Sequence, residues 1–187
     1  LDHYLYAFDL ARGALRWEAD LGGPMVGGTA FDPQGVLYVG TLKQEVLAVD
    51  AATGKILWRS TVEGNIWSAP LLHEGKLYFG TDKNKIYIVD AVQGGELKKI
   101  DSASSVIASP VYTDGAIAFC SEGGEIFTMT LDGESRPWTR TIKGKLYSTP
   151  VVINNQGVVF PPQGDQIFAG DDFLGKLDAK WNTLGPK

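Results

Sequence analysis

The sequence predicts an all-β fold, a β-propeller of four-stranded antiparallel blades, and three observations predict it. Pro70, Pro110 and Pro150 stand 40 residues apart, each closing a small-residue tripeptide (SAP, ASP, STP). Asp9, Asp50 and Asp90 stand 41 and 40 apart, each at the end of an alternating apolar run. Between these markers lie only strand-like segments and turns. A repeat of this length built from strands reads as a propeller blade, because a lone four-stranded sheet cannot bury both of its faces without neighbours.

Within each unit the order of elements is constant. A strand enters a Pro, a short turn follows, then an aromatic strand, a polar turn, a strand ending in Asp, a Gly turn and a last strand. The second unit shows this most plainly, as NIWSAPLL, HEG, KLYFGT, DKNK, IYIVD, AVQGG and ELKKI over residues 65–100. Alternation of Val, Ile, Tyr and Phe with polar residues marks half-buried strands, and Gly with Asn or Asp marks hairpins. The spacing of 40 becomes 41 where the first turn gains a residue (DPQG and NNQG against HEG and TDG), a place where hairpins accept insertion. Leu37, Leu77, Ile117 and Val158 then become equivalent, as do Val49, Val89, Met129 and Gly170.

Residues 1–187 are expected to form one propeller domain. A half blade at 1–21 supplies only third and fourth strands, and four complete blades follow at about 22–62, 63–102, 103–143 and 144–187. After Trp181 only NTLGPK remains to complete the half blade. The expectation is a piece of a larger propeller, or one whose open sheet edges are covered by missing blades or another chain. The chain starts at Leu1 inside a strand pattern, with neither Met nor signal peptide, so an upstream segment is expected to have been removed.

Composition narrows the function. A chain of 187 residues with 44% apolar and 21% charged residues is expected to form a water-soluble domain with one sizeable core. A net charge of −5 argues against a nucleic-acid groove, which needs clustered Lys and Arg. No apolar run reaches the length of a membrane span. The single cysteine, Cys120, excludes an intrachain disulfide, and His3 and His73 lie too far apart for a zinc pattern.

Ala48, Asp50, Thr53, Gly54, Lys55 and Trp58 spell AxDxxTGKxxW, and Ala7, Asp9, Gly13 and Trp17 repeat it without the Thr. Degenerate copies occur at Asp90/Gly94, Asp132/Gly133/Trp138 and Asp171/Gly175/Trp181. This motif resembles the repeat of the pyrroloquinoline quinone (PQQ)-like propeller family, whose non-catalytic members include outer-membrane-assembly lipoprotein propellers. The signatures of WD-type and kelch propellers are not seen. The Asp can accept hydrogen bonds from the following turn, the Gly supplies positive φ, and the Trp is a plate for the gap between blades. The resemblance implies blade docking by Asp9, Gly13, Trp17, Asp50, Gly54, Trp58, Asp90, Gly94, Trp138 and Trp181. Two departures stand out. Lys98 occupies the place of a Trp after Gly94, and Met129-Thr130-Leu131 replaces the strand-end Asp.

The resemblance also raises a PQQ- and calcium-dependent dehydrogenase, which holds calcium under the quinone, uses an Asp base and commonly carries adjacent cysteines. One cysteine rules out the last feature, and no Asp, Glu and Asn cluster recurs outside the turns. Asp171-Asp172 reads as a solvated turn, and Cys120, in the place of Gly40 and Gly80, as a small residue inside a sheet. No catalytic, cofactor-binding or metal-binding residue is assigned, no cofactor is expected, and the chain is not expected to be an enzyme.

Propellers bind through loops at the channel mouth. Val26, Trp67, Ile107 and Tyr147 are equivalent positions near it, and Trp67, Ile107 and Tyr147 are the candidate partner-binding residues, with channel packing as the alternative. The loops Lys43-Gln44-Glu45, Asp82-Lys83-Asn84-Lys85, Glu122-Gly123-Gly124-Glu125 and Gln163-Gly164-Asp165-Gln166 could form a graded polar rim. The leading reading is a non-catalytic scaffold or sensor module with a protein partner, engaged in one version by strand addition. A propeller appendage of a larger enzyme is the third alternative. Family analogy implies a bacterial periplasmic, envelope or extracellular location.

Overall fold

The structure, a computed structural model, describes residues 2–134, 139–153 and 158–160, with the backbone of 168–169. Its order along the chain is a two-stranded sheet and then four meandering sheets. The half blade is β1 (Tyr4–Phe8) and β2 (Leu15–Asp20). The first full blade is β3 (Ala30–Asp32), β4 (Val36–Gly40), β5 (Glu45–Asp50) and β6 (Ile56–Thr61). The second is β7 (Leu71–His73), β8 (Lys76–Gly80), β9 (Lys85–Asp90) and β10 (Glu96–Asp101). The third is β11 (Val111–Thr113), β12 (Ala116–Cys120), β13 (Glu125–Thr130) and β14 (Thr139–Thr141). The fourth shows β15 (Val151–Val152), β16 (Val158–Phe160) and β17 (Phe168–Ala169), and the residues expected to supply its fourth strand lie outside the described ones. Each sheet is antiparallel in simple sequence order, and no helix occurs among the described residues. The molecule is all-β and a β-propeller in architecture.

The core lies in the seams between sheets rather than within any one of them. Tyr38, Val46 and Ala48 of the first full blade meet Leu77, Phe79, Tyr87 and Val89 of the second. Tyr78, Ile86 and Ile88 then meet Ile117, Phe119, Phe127 and Met129 of the third. Successive residues of a strand point to opposite faces, so each middle strand feeds two seams at once. The second and third strands are therefore buried on both faces rather than half buried, as the alternation alone had implied. Half-burial belongs to the outer strands β6 and β10, whose residues alternate between half-buried and exposed. Stacked cross-strand pairs add to the seams, Phe79 on Tyr87 at 5.6 Å and Phe119 on Phe127 at 5.5 Å.

The first strands also differ from the expectation. They begin after the Pro, at Leu71, Val111 and Val151, and the residues before it form a lead-in with no ladder of its own. Pro has no N–H to give a ladder. Two lead-in amides bond the preceding blade instead: Ile66 N donates to Thr41 O at 3.1 Å and Val106 N to Thr81 O at 3.0 Å.

Candidate functional site

The turns that run from Asp9 to Gly13, Asp50 to Gly54 and Asp90 to Gly94 fix where the seams close. Oδ1 of Asp9, Asp50 and Asp90 each accepts hydrogen bonds from two turn amides at 2.7–3.1 Å. Asp50 also accepts from the Thr53 hydroxyl, which holds its carboxyl below the usual carboxylate range. Gly54 and Gly94 close these turns at φ of 76° and 73°. They have a second reason to lack a side chain, because a Cβ there would lie 2.7 Å from Trp17 and 2.6 Å from Trp58 of the preceding sheet. Trp17 Nε1 donates to Ala51 O at 3.0 Å, and Trp58 Nε1 to Ala91 O at 3.1 Å. Both indoles lie across the ladder from alanine, Ala7 and Ala48, just before a bulge in the register. Where Lys98 replaces the Trp, Ile88 replaces that alanine, and Tyr78 OH takes over the carbonyl of the next blade, Leu131 O, at 2.8 Å. Asp9 and Gly13 form the matching turn in the half blade, with Gly13 at φ 64°. Trp138, Trp181 and the Asp171-Asp172 pair lie outside the described residues.

The opposite ends of the sheets carry the residues expected at a channel mouth. The lead-ins plug the inner strands: Ile66 over Gly40 and Val106 over Gly80 come within 2.2 Å of where a Cβ would stand, which is why those positions are glycine. Leu146 shares a buried cluster with Cys120, whose thiol is pushed up to about 12 by burial. Trp67, Ile107 and Tyr147 each follow a plug by one residue, so they face outward. Trp67 is 40% exposed, and Ile107 and Tyr147 are half-buried.

Acidic side chains of the neighbouring turns hold two of the three. Asp82 accepts from Asn65 N at 2.8 Å, Asn65 Nδ2 at 2.8 Å and Trp67 Nε1 at 3.3 Å. Glu122 accepts from Lys145 Nζ at 2.8 Å and Tyr147 OH at 3.0 Å, with the Lys145 ammonium 5.7 Å from the Tyr147 ring centre. The Lys145 hydrogen bond, and then that of Tyr147, hold the Glu122 carboxyl below its usual range, while the same pairing raises Lys145. The Ile107 segment ties both turns together, with Ser105 Oγ donating to Asp82 O at 3.1 Å and Glu122 N donating to Ser105 O at 2.7 Å. These bonds link an arc in which apolar surface alternates with carboxylates, Trp67, Asp82, Ile107, Glu122 and Tyr147 in order. Sequence reasoning placed the Asp82 and Glu122 loops at a polar rim without seeing these bonds. Their signal was the recurrence of an acid at matching positions 40 residues apart. The Gln163 to Gln166 loop lies outside the described residues. Among the described residues, no group of three His, Cys, Asp or Glu side chains converges as a metal ion would require, and no helix is long and apolar enough to cross a membrane.

Comparison with known proteins bears on the fold and on descent. The crystal structure of BamB from Moraxella catarrhalis superposes with a TM-score of 0.77 at 20% identity, covering 91% of this chain and 52% of that one. The computationally designed Ika8 protein gives 0.76 at 13% identity, covering 90% and 52%. The designed Ika4 protein gives 0.69 at 12%, covering 79% and 91%. The chain thus spans about half the length of the first two. No curated protein matches. The family described as outer membrane protein assembly factor BamB matches residues 1–98, the stretch that holds the AxDxxTGKxxW motif and its partial copy at Ala7–Trp17, and the chain belongs to that family.

Proposed function

We propose that residues 1–187 form one propeller domain that works as a non-catalytic protein-binding scaffold in the bacterial envelope. Its partner docks on the arc of Trp67, Ile107 and Tyr147, while Asp9, Gly13, Trp17, Asp50, Gly54, Trp58, Asp90 and Gly94 serve the seams. The observation that carries this reading is the arc itself. Rigid aromatic rings held in place by carboxylates lose little entropy on binding, and central aromatics are where interface energy concentrates. The motif carboxylates are occupied by turn amides, which supports structural rather than chemical use. Family membership supports an envelope location and a role beside other proteins of outer-membrane assembly. The test is surface plasmon resonance with purified outer-membrane assembly components of the host. Trp67→Ala and Tyr147→Ala are each expected to weaken binding about tenfold or more with an unchanged melting curve. Unchanged affinity in two folded variants would remove the arc from the interface.

A further inference from the structure

The hairpins that join first to second and third to fourth strands lie on the face away from the mouth, because each sheet is a simple antiparallel meander. On that face a cleft of about 720 Å³ opens between the first and second full blades. It runs from the inner strands, at Phe31 and His73, to the outer strand and turn, at Leu57 and Val92. Its origin is visible in the seam. Trp58 already occupies Ala91 O, so the Tyr38 hydroxyl turns back to Asp32 of its own blade at 3.5 Å. At the next seam the equivalent Tyr78 hydroxyl reaches across and ties the blades together.

The lining is asymmetric in chemistry. The outer end is apolar and open, with Leu57 49% and Val92 78% exposed. The inner end carries Asp32 and Glu74, and no Lys or Arg is among the lining residues. His73 Nε2 is buried without a hydrogen-bond partner, 3.8 Å from a Glu74 oxygen. A cleft four strands wide is about 14 Å long at the usual strand spacing, room for about four extended residues.

We propose that this cleft takes an extended peptide segment of a partner protein, with apolar side chains lying on Leu57, Trp58 and Val92 and a Lys or Arg facing Asp32 and Glu74. The site is separate from the mouth arc and does not depend on it. The probes are fluorescein-labelled Gly-Val-Leu-Val-Lys-amide and the same peptide with Glu in place of Lys, titrated by fluorescence anisotropy. The Lys peptide is expected to bind and the Glu peptide to bind about tenfold more weakly. Glu74→Lys and Val92→Asp, both at exposed positions, are each expected to weaken the Lys peptide about tenfold, while Trp67→Ala leaves it unchanged. No binding of the Lys peptide, equal binding of the two peptides, or indifference to both cleft variants would overturn the proposal.

Discussion

Gly94 shows how one position meets two demands at once. It sits at φ 73°, and a Cβ would stand 2.6 Å from the Trp58 ring, whereas Gly13 shares the backbone conformation at φ 64° with nothing within 4 Å. The pair separates strain from packing. Gly13→Ala is expected to cost about 1 kcal/mol, and Gly94→Ala about 3 kcal/mol, read from urea midpoints. Equal costs would mean that the indole yields freely. A turn glycine was legible in the sequence, since Asp followed by Gly before an aromatic strand implies a tight hairpin. That Trp58 fills a gap between blades was implied by the motif, but its cover over Gly94 was not, because no local pattern links residues 58 and 94. The alanine of the motif was equally opaque until Trp17 and Trp58 were seen opposite Ala7 and Ala48.

At the scale of the strand and its seam, the loss of a tryptophan is answered by a tyrosine. Lys98 reaches Glu134 of the third blade instead of docking a ring, and the buried Tyr78 hydroxyl supplies the carbonyl bond. Tyr78→Phe leaves Leu131 O without that donor and is expected to cost about 1–2 kcal/mol. Tyr38→Phe, which removes only a long bond to Asp32 within one blade, is expected to cost less than half as much in the same denaturation assay. The departure at Lys98 could be read from the sequence. Its compensation could not, since Tyr38 and Tyr78 occupy equivalent positions and only the neighbouring seam decides where each hydroxyl goes. The start of each inner strand was misplaced for a related reason: alternation continues through the lead-in, while the amides of Ile66 and Val106 bond the preceding blade.

Across the whole molecule, stability is arranged as a series of seams. The strands β8, β9, β12 and β13 are buried on both faces, while β1 holds one partner strand and exposes Tyr4, Tyr6 and Phe8 by 41–60%. Native-state hydrogen exchange of this chain should follow that gradient, with the amides of β1 opening at the lowest free energy and those of β8, β9 and β12 at the highest. Uniform protection would instead mean that the stack opens only as one unit. The period of 40 made the architecture legible, because it is a property of the chain as a whole. The bonds of the mouth and the cleft were not legible, as they come from small differences between units that the repeat conceals. The plug and its socket always belong to different units: Ile66 fills the space over Gly40, and Val106 that over Gly80. Each forty-residue segment therefore carries half of the joint on either side of it, like a link in a chain. A gene duplication that copied one such segment would lengthen the array with every coupling already in hand, and a break at a unit boundary would spoil two neighbours at once.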